Sequence, residues 1–86
     1  MLIRSQNKKN LTNLSQVTNI AIIARDSRFK IVACYPVEDG YDYMGEYSTE
    51  TKAIKVLDMI QDAYISNSID GDFPVFHMPT DEEVEG

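Results

Sequence analysis

The chain has 86 residues, a mass of 9.8 kDa, 43% hydrophobic residues and a formal net charge of −6 at pH 7. This length fits one small domain with a thin stability margin, which leaves little room for a large buried active site. A single cysteine excludes an internal disulfide and any cysteine-based zinc site. The sequence lacks the apolar run of about 18 residues that a membrane-spanning helix needs, and it lacks a signal-peptide core, so we expect a cytoplasmic protein.

The charges are unevenly distributed along the chain. Residues 1–30 hold six basic residues and one acid, whereas residues 31–86 hold two basic residues and thirteen acids. Contacts to phosphate dominate general DNA binding, and an acidic chain is poorly suited to make them. We therefore do not expect nucleic acid as a partner.

Residues 2–47 have the alternation and the turn residues of β-strands. We predict a short strand at 2–6, a polar turn at 7–10, and strand structure over 11–24 that bends near residues 15–16. A hairpin turn at 25–28 leads to a strand at 29–35, and a turn at 36–40 leads to a strand at 41–47. Strict alternation would place Tyr41, Tyr43 and Tyr47 on one face of that last strand.

One amphipathic helix follows, with Ser48 as its predicted N-cap and Asn67 as its predicted C-cap. A turn at 70–72 and a short edge strand at 73–78, which contains Pro74, complete the predicted elements. At about 100° per residue, six residues of the helix share one face and form a predicted core-facing stripe: Ala53, Val56, Leu57, Ile60, Ala63 and Tyr64.

These elements predict an α+β fold, in which a small twisted antiparallel sheet of four or five strands carries one amphipathic helix on one face. We predict a single domain at residues 1–79 and a disordered acidic tail at residues 80–86, where four of seven residues are acids. Strand 17–24 is apolar on both faces, and the sheet has no second helix to cover it. Either the sheet curls on itself, or a second copy of the protein covers it.

The sequence offers few candidate catalytic or ligand-binding groups. His77 is the only histidine, so a histidine pair or a His-based metal site is excluded. Cys34 lies inside an apolar strand and is expected to be a buried small hydrophobe. The acidic turns at 38–40 and 70–72 lack the EF-hand pattern, and the four glycines form no phosphate-binding loop. We therefore predict a protein that is not an enzyme, with no catalytic residue, no metal site and no cofactor.

Two isoleucines of the helix are candidate interface residues. On a helical wheel, Ile54 and Ile65 stand beside the core-facing stripe, where they form a short apolar strip that one sheet is too narrow to cover. Scattered exposed isoleucines also occur on monomers. Because a single symmetric contact could cover both this strip and the open face of strand 17–24, we predict a homodimer that forms either through the side of the helix that carries Ile54 and Ile65 or through the open face of the sheet.

Tyr41 and Tyr43 are the other candidate interface residues, because tyrosine is enriched at protein interfaces. The alternative is that these rings pack under the helix. An aromatic stripe on a sheet could also stack nucleic-acid bases, but Asp42 and Glu46 alternate with the tyrosines and argue against that interpretation.

Three groups of residues resemble a known family in their order and spacing. They are Ile3-Arg4-Ser5-Gln6, then Gly45-Glu46-Tyr47-Ser48-Thr49-Glu50 with Lys52-Ala53 and Val56-Leu57-Asp58, and finally Val75-Phe76-His77-Met78-Pro79. Through these residues the chain resembles a family of small uncharacterised proteins of low-GC Gram-positive bacteria, often encoded in prophages or near mobile elements. The resemblance leaves out roughly residues 10–40, and it implies no activity, cofactor or catalytic residue.

The combined prediction is a non-enzymatic interaction or accessory protein, encoded in or near a mobile element, that forms a homodimer. An unidentified protein partner is compatible with this interpretation, and no membrane partner is expected. The alternative is an acidic inhibitor that occupies the nucleic-acid-binding groove of another protein.

Overall fold

A computed structural model describes residues 1–37, 40–70 and 75–85. The predicted turn residues Glu38 and Asp39, and residues 71–74 of the predicted turn and edge strand, lie outside the described residues. The elements, in chain order, are β1 (Leu2–Arg4), β2 (Leu11–Asn13), a 3-10 turn (Leu14–Gln16), β3 (Asn19–Arg25), β4 (Arg28–Cys34), β5 (Tyr41–Tyr47), α1 (Glu50–Asp70) and β6 (Val75–His77). The α+β class with one helix is confirmed.

The described strands form two three-stranded sheets, not the single sheet of four or five strands that we predicted. The first sheet has the order β2-β1-β6, with β1 antiparallel to β2 and parallel to β6. The second sheet has the order β3-β4-β5 and is antiparallel throughout. The 3-10 turn at Leu14–Gln16 explains the division, because it ends β2 before β3 begins and allows the two strands to join different sheets. The predicted bend near residues 15–16 lies at this turn.

A two-residue hairpin joins β3 to β4, as predicted. Asp26 and Ser27 have φ angles of 53° and 63° and stand between the paired residues Arg25 and Arg28. Two central residues with positive φ are the signature of a type I′ turn, whose twist matches that of the strands it connects.

The pairing of β4 with β5 contains a β-bulge at Met44. Ile31 pairs with Gly45 and Val32 pairs with Tyr43, so Met44 is the extra residue on β5. An extra residue shifts the alternation of side chains by one position, and it therefore changes which residues of β5 face the core.

The bulge separates the tyrosines that we predicted on one face. Tyr47 lies on the core side of the sheet and is fully buried, as is Met44. Tyr41 and Tyr43 lie on the opposite face, where Tyr41 is 59% exposed. The predicted shared face is therefore wrong for Tyr47, because strict alternation holds only in a strand without a bulge.

The helix α1 packs on one face of the second sheet and contacts all three of its strands. Most of the predicted stripe faces the core: Ala53, Val56 and Ile60 are buried, and Leu57 packs against them half-buried. Tyr64 is 53% exposed and lines a surface groove instead of entering the core, which corrects its place in the stripe.

Both predicted ends of the helix need correction. The side-chain oxygen of Thr49 accepts a hydrogen bond from the backbone N–H of Lys52 at 3.1 Å, so Thr49, not Ser48, is the N-cap. The helix continues to Asp70, past the predicted C-cap at Asn67.

Residues 80–85 pack against the domain, which corrects the predicted disordered tail. Val84 is 5% exposed and belongs to the hydrophobic core. Thr80 and Glu83 bond reciprocally, since the Thr80 N–H donates to the Glu83 carboxylate at 2.9 Å and the Glu83 N–H donates to the Thr80 hydroxyl at 3.3 Å. This is the pattern of a capping box. Four acids in seven residues favour a solvated segment, but Val84, the apolar residue among these acids, anchors the segment to the core.

Candidate interaction surfaces

The groups that could carry chemistry are dispersed. Among the described residues, no group of three or more His, Cys, Asp or Glu side chains is placed to hold a metal ion. His77 is exposed on β6, and Cys34 is half-buried at the end of β4 instead of fully buried as expected. Over the same residues, no helix has the length and apolar character needed to cross a membrane. Exposed surfaces are therefore the candidate sites to compare.

The outer edge of β5 is covered by residues that follow β1. The backbone N–H of Gln6 donates to the carbonyl of Met44 at 2.7 Å. The Gln6 side chain donates to the carbonyls of Glu46 at 3.1 Å and Pro79 at 3.2 Å, and it accepts from the Glu46 N–H at 3.1 Å. These bonds occupy backbone groups of Met44 and Glu46, and together with the Met44 bulge they prevent another strand from pairing regularly along the second half of the β5 edge.

The C-terminal segment closes the same side of the molecule. Asp81 accepts hydrogen bonds from the backbone N–H of Ser48 at 2.8 Å and from its hydroxyl at 3.1 Å, and it lies 3.6 Å from the Lys52 ammonium. The bond from the Ser48 N–H, with help from Lys52, lowers the pKa of the Asp81 carboxyl. The Tyr47 hydroxyl donates to the Pro79 carbonyl at 2.7 Å, and burial raises the pKa of Tyr47.

The outer edge of β3 is open. In the described part of the chain, β3 pairs only with β4. Its backbone groups on the other side are therefore available to pair with another strand. The strand is apolar on both faces, and its only charged residue is the last of the seven: Asn19, Ile20, Ala21, Ile22, Ile23, Ala24 and Arg25.

A groove lies beside the beginning of β3. It has a volume of about 520 Å³ and separates the start of β3 from the second half of α1. Its lining is largely apolar and includes Leu14, Val17 and Ile20 on one side and Leu57 and Ile60 on the other. The exposed edge of β3 thus borders a second surface that another apolar element could fill.

The four predicted interface residues lie on two different surfaces. Ile54 and Ile65 are 45% and 49% exposed and belong to α1. Tyr41 and Tyr43 lie on the face of the second sheet that is opposite the core. There they line a depression of about 280 Å³ together with Ile23, Arg25, Lys30 and Val32. The structure brings the two tyrosines together, but it does not bring them to the isoleucines.

Comparisons with protein-family models, with curated proteins and with solved structures find no match for this chain. The surfaces described above are therefore the features of this chain that point to a function.

Sequence reasoning missed two residues that define these surfaces. Val84 could have been noticed, because Thr80 and Glu83 have the capping-box spacing directly before it. Gln6 gives no local signal, because its partner Glu46 is 40 positions away in the chain.

Proposed function

We propose that this protein is a non-enzymatic interaction module that works as a homodimer joined through the β3 edges of its two copies. The observation that carries this proposal is the β3 edge itself, which is seven residues long, apolar on both faces and without a partner strand in the described part of the chain. An exposed, regular and apolar edge is a template for pairing with another strand. Two-fold symmetry would use the same strand twice.

A two-fold axis at Ile22 gives a favourable register. It places Ile20 opposite the partner subunit's Ala24, and Ala21 opposite the partner subunit's Ile23. The only charged residue of the strand, Arg25, then lies opposite the partner subunit's Asn19, so no like charges oppose each other. Apolar cross-strand pairs stabilise a sheet, and this pairing would create one continuous antiparallel sheet of six strands.

The same axis places both α1 helices on one face of the extended sheet. The groove between β3 and α1 borders the new contact, and its apolar lining includes Leu57. The exposed side chains of Ile54 and Ile65 stand on α1 and add apolar area within reach of a second helix. The interface would then combine strand pairing with helix contacts, which supports a dimer over a monomer with a bare edge.

The acidic-inhibitor alternative is less well supported. Such an inhibitor must present its carboxylates to a partner, yet four of them bond within the chain: Asp42, Glu46, Asp81 and Glu83. The family resemblance fits an accessory protein of a mobile element, which is compatible with an interaction module and adds no activity.

Light scattering at micromolar concentration tests the homodimer. The wild-type protein should give a mass of about 20 kDa, twice the 9.8 kDa chain. Ile23→Lys introduces a charge in the middle of the β3 edge, at a side chain that is 43% exposed, and should shift the mass towards 9.8 kDa. The control Met59→Lys changes a side chain of α1 with similar exposure, 42%, and should leave the dimer intact.

Two results would contradict the proposal in different ways. A mass of 9.8 kDa for the wild type across a roughly hundredfold dilution series would exclude the homodimer. A dimer that survives Ile23→Lys but dissociates in the double variant Ile54→Asp, Ile65→Asp would move the contact from the β3 edge to α1.

A further inference from the structure

The face of the second sheet opposite α1 carries a feature that the homodimer does not explain. We call it the tyrosine platform and define it by Tyr41, Tyr43, Val32, Lys30 and Arg25. Val32 forms the floor and is 3% exposed, whereas the Tyr41 ring is 59% exposed. Tyr41 and Tyr43 are two positions apart on β5, so their Cα atoms are about 7 Å apart along the strand and their side chains leave the same face.

One of the two acids that argued against a nucleic-acid surface here lies on the opposite face from Tyr41 and Tyr43. Asp42 stands on the core side of β5, where its carboxylate accepts hydrogen bonds from the Tyr35 hydroxyl at 2.5 Å and from the Thr12 hydroxyl at 3.1 Å. It therefore does not lie on the face that carries the exposed Tyr41 ring and the half-buried Tyr43 ring.

The second acid is neutralised by a neighbour. Glu46 shares the outer face with Lys30, its partner across the strands, and its carboxylate lies 3.6 Å from the Arg28 guanidinium. Among the described residues, the lining of the depression itself contains two cations, Arg25 and Lys30, and no acid. Over the described strands of this sheet, the face carries Arg25, Arg28 and Lys30 against the single acid Glu46, so its local charge there is positive.

We propose that the tyrosine platform binds a short segment of single-stranded nucleic acid, with bases stacked on Tyr41 and Tyr43 and phosphates contacted by Arg25 and Lys30. Aromatic rings beside a basic groove are the usual means of binding single strands without sequence preference, because every base has a face that can stack. The proposal does not require the homodimer, since all of these residues belong to one chain.

The net charge of −6 limits what this surface can bind, but it does not exclude a single strand. At physiological ionic strength charges are screened beyond about 8 Å, so the cations beside the rings act on a bound phosphate more strongly than distant acids do. A duplex hides the faces of its bases and brings more phosphates towards the acidic parts of the surface. We therefore expect binding of single strands and much weaker binding of a duplex of equal length.

Fluorescence anisotropy with labelled ten-nucleotide oligo-dT and oligo-rU, at low salt, tests the proposal. Tyr41→Ala removes an exposed ring. It should bind the same oligonucleotide about 5- to 100-fold more weakly than the wild-type protein does, which is the range expected for one stacked base. Tyr64→Ala removes a ring of similar exposure, 53%, from α1 and should leave the affinity unchanged. Stronger binding of oligo-rU than of oligo-dT would assign the platform to RNA, and the reverse would assign it to DNA.

The salt dependence tests the role of the two cations. Two phosphate contacts on a single strand predict a slope of about −1.4 for the logarithm of the association constant against the logarithm of salt concentration. The double variant Arg25→Gln, Lys30→Gln should bring this slope close to zero, whereas the control Lys8→Gln, Lys9→Gln should not change it.

Three outcomes would overturn the proposal. They are the absence of binding of both oligonucleotides to the wild type at millimolar protein, unchanged affinity in Tyr41→Ala, and a duplex that binds as tightly as the single strand. The first outcome would leave the platform as a surface for a protein partner. None of these results depends on the oligomeric state, which light scattering reports separately.

Discussion

The two edge strands of the second sheet have the same length but very different surroundings. β5 contains a bulge at Met44, and Gln6 bonds to backbone groups of Met44 and Glu46. β3 pairs in regular register with β4 over all seven of its residues, and it has no strand on its other side in the described part of the chain. One edge is thus protected from pairing by the devices that natural sheets use, while the other lacks them.

The composition of the two strands makes this contrast more informative. The β5 sequence contains Asp42 and Glu46 and alternates polar with apolar residues, so an exposed edge would be tolerable there. The β3 sequence is apolar at five successive positions, residues 20–24, and would gain most from being covered. Within the described residues, the chain protects the edge of β5, although the more apolar β3 would gain more from protection. This contrast favours a second copy of the chain as the partner of β3.

The largest expected effect comes from removing the segment that helps to close the β5 side. Deletion of Asp81–Gly86 should lower the free energy of unfolding by at least about 2 kcal/mol, because the buried Val84 side chain is lost. Urea unfolding measures this change. The control Glu82→Gln, Glu85→Gln removes two acids but keeps Val84, and it should unfold like the wild type.

A truncated chain as stable as the full chain would show that residues 80–85 do not contribute to the core. The contacts that cover the β5 edge would then come from Gln6 alone.

The next largest effect is expected at Gln6 itself. Gln6→Ala removes three side-chain hydrogen bonds to Glu46 and Pro79 and leaves the Glu46 N–H without its acceptor. Each such bond contributes about 0.5–1.5 kcal/mol, and water replaces part of the bonding at this half-buried side chain, so we expect a loss of about 1–3 kcal/mol. Gln16→Ala, at an exposed position of the 3-10 turn, is the matched control. Equal stability of the two variants in urea would mean that the β5 edge is not held by Gln6.

The sequence predicts those parts of this contrast that local patterns determine. The β3–β4 hairpin, the bend near residues 15–16 and the buried face of α1 follow from turn residues and from hydrophobic periodicity. The division of the strands into two sheets does not follow from local patterns. It depends on long-range pairing between β1 and β6, which are separated by more than 70 residues.

The candidate surfaces were predictable only in part. The apolar strip at Ile54 and Ile65 follows from the helical period, and both residues are exposed. The separation of Tyr41 and Tyr43 from Tyr47 is not visible in the sequence, because a bulge at Met44 interrupts the alternation that the prediction assumed. Asp42 lies between Tyr41 and Tyr43 in the sequence. Because these two tyrosines face away from the core, Asp42 faces the core side.

A smaller effect is expected from acidification, through two carboxylates of the C-terminal segment. The bond from the Ser48 N–H holds the pKa of Asp81 below its ordinary value of 3.8, and the bond from the Thr80 N–H holds that of Glu83 below 4.5. A lowered pKa in the folded state stabilises the fold above the ordinary value, and this stabilisation is lost as the pH falls through the lowered one. When the pH is lowered below about 4.5, the melting temperature should therefore decrease. The decrease should be less steep in the variant Asp81→Asn, Glu83→Gln.

The smallest expected change in stability belongs to the variant that fixes the register of the open edge. Ile22→Cys, made in a Cys34→Ser background, replaces a half-buried side chain and should cost about 1 kcal/mol. With the two-fold axis at residue 22, the two new thiols face each other across the interface. Opposite side chains in antiparallel strands have Cβ atoms about 4.5–5.5 Å apart, so a small approach brings them within disulfide range. Mild oxidation should then yield a covalent dimer on a non-reducing gel, whereas Met59→Cys in the same background, on the far side of α1, should remain a monomer. If Ile54→Cys cross-links and Ile22→Cys does not, the two copies meet through their helices, and the β3 edge is free for a strand from another protein.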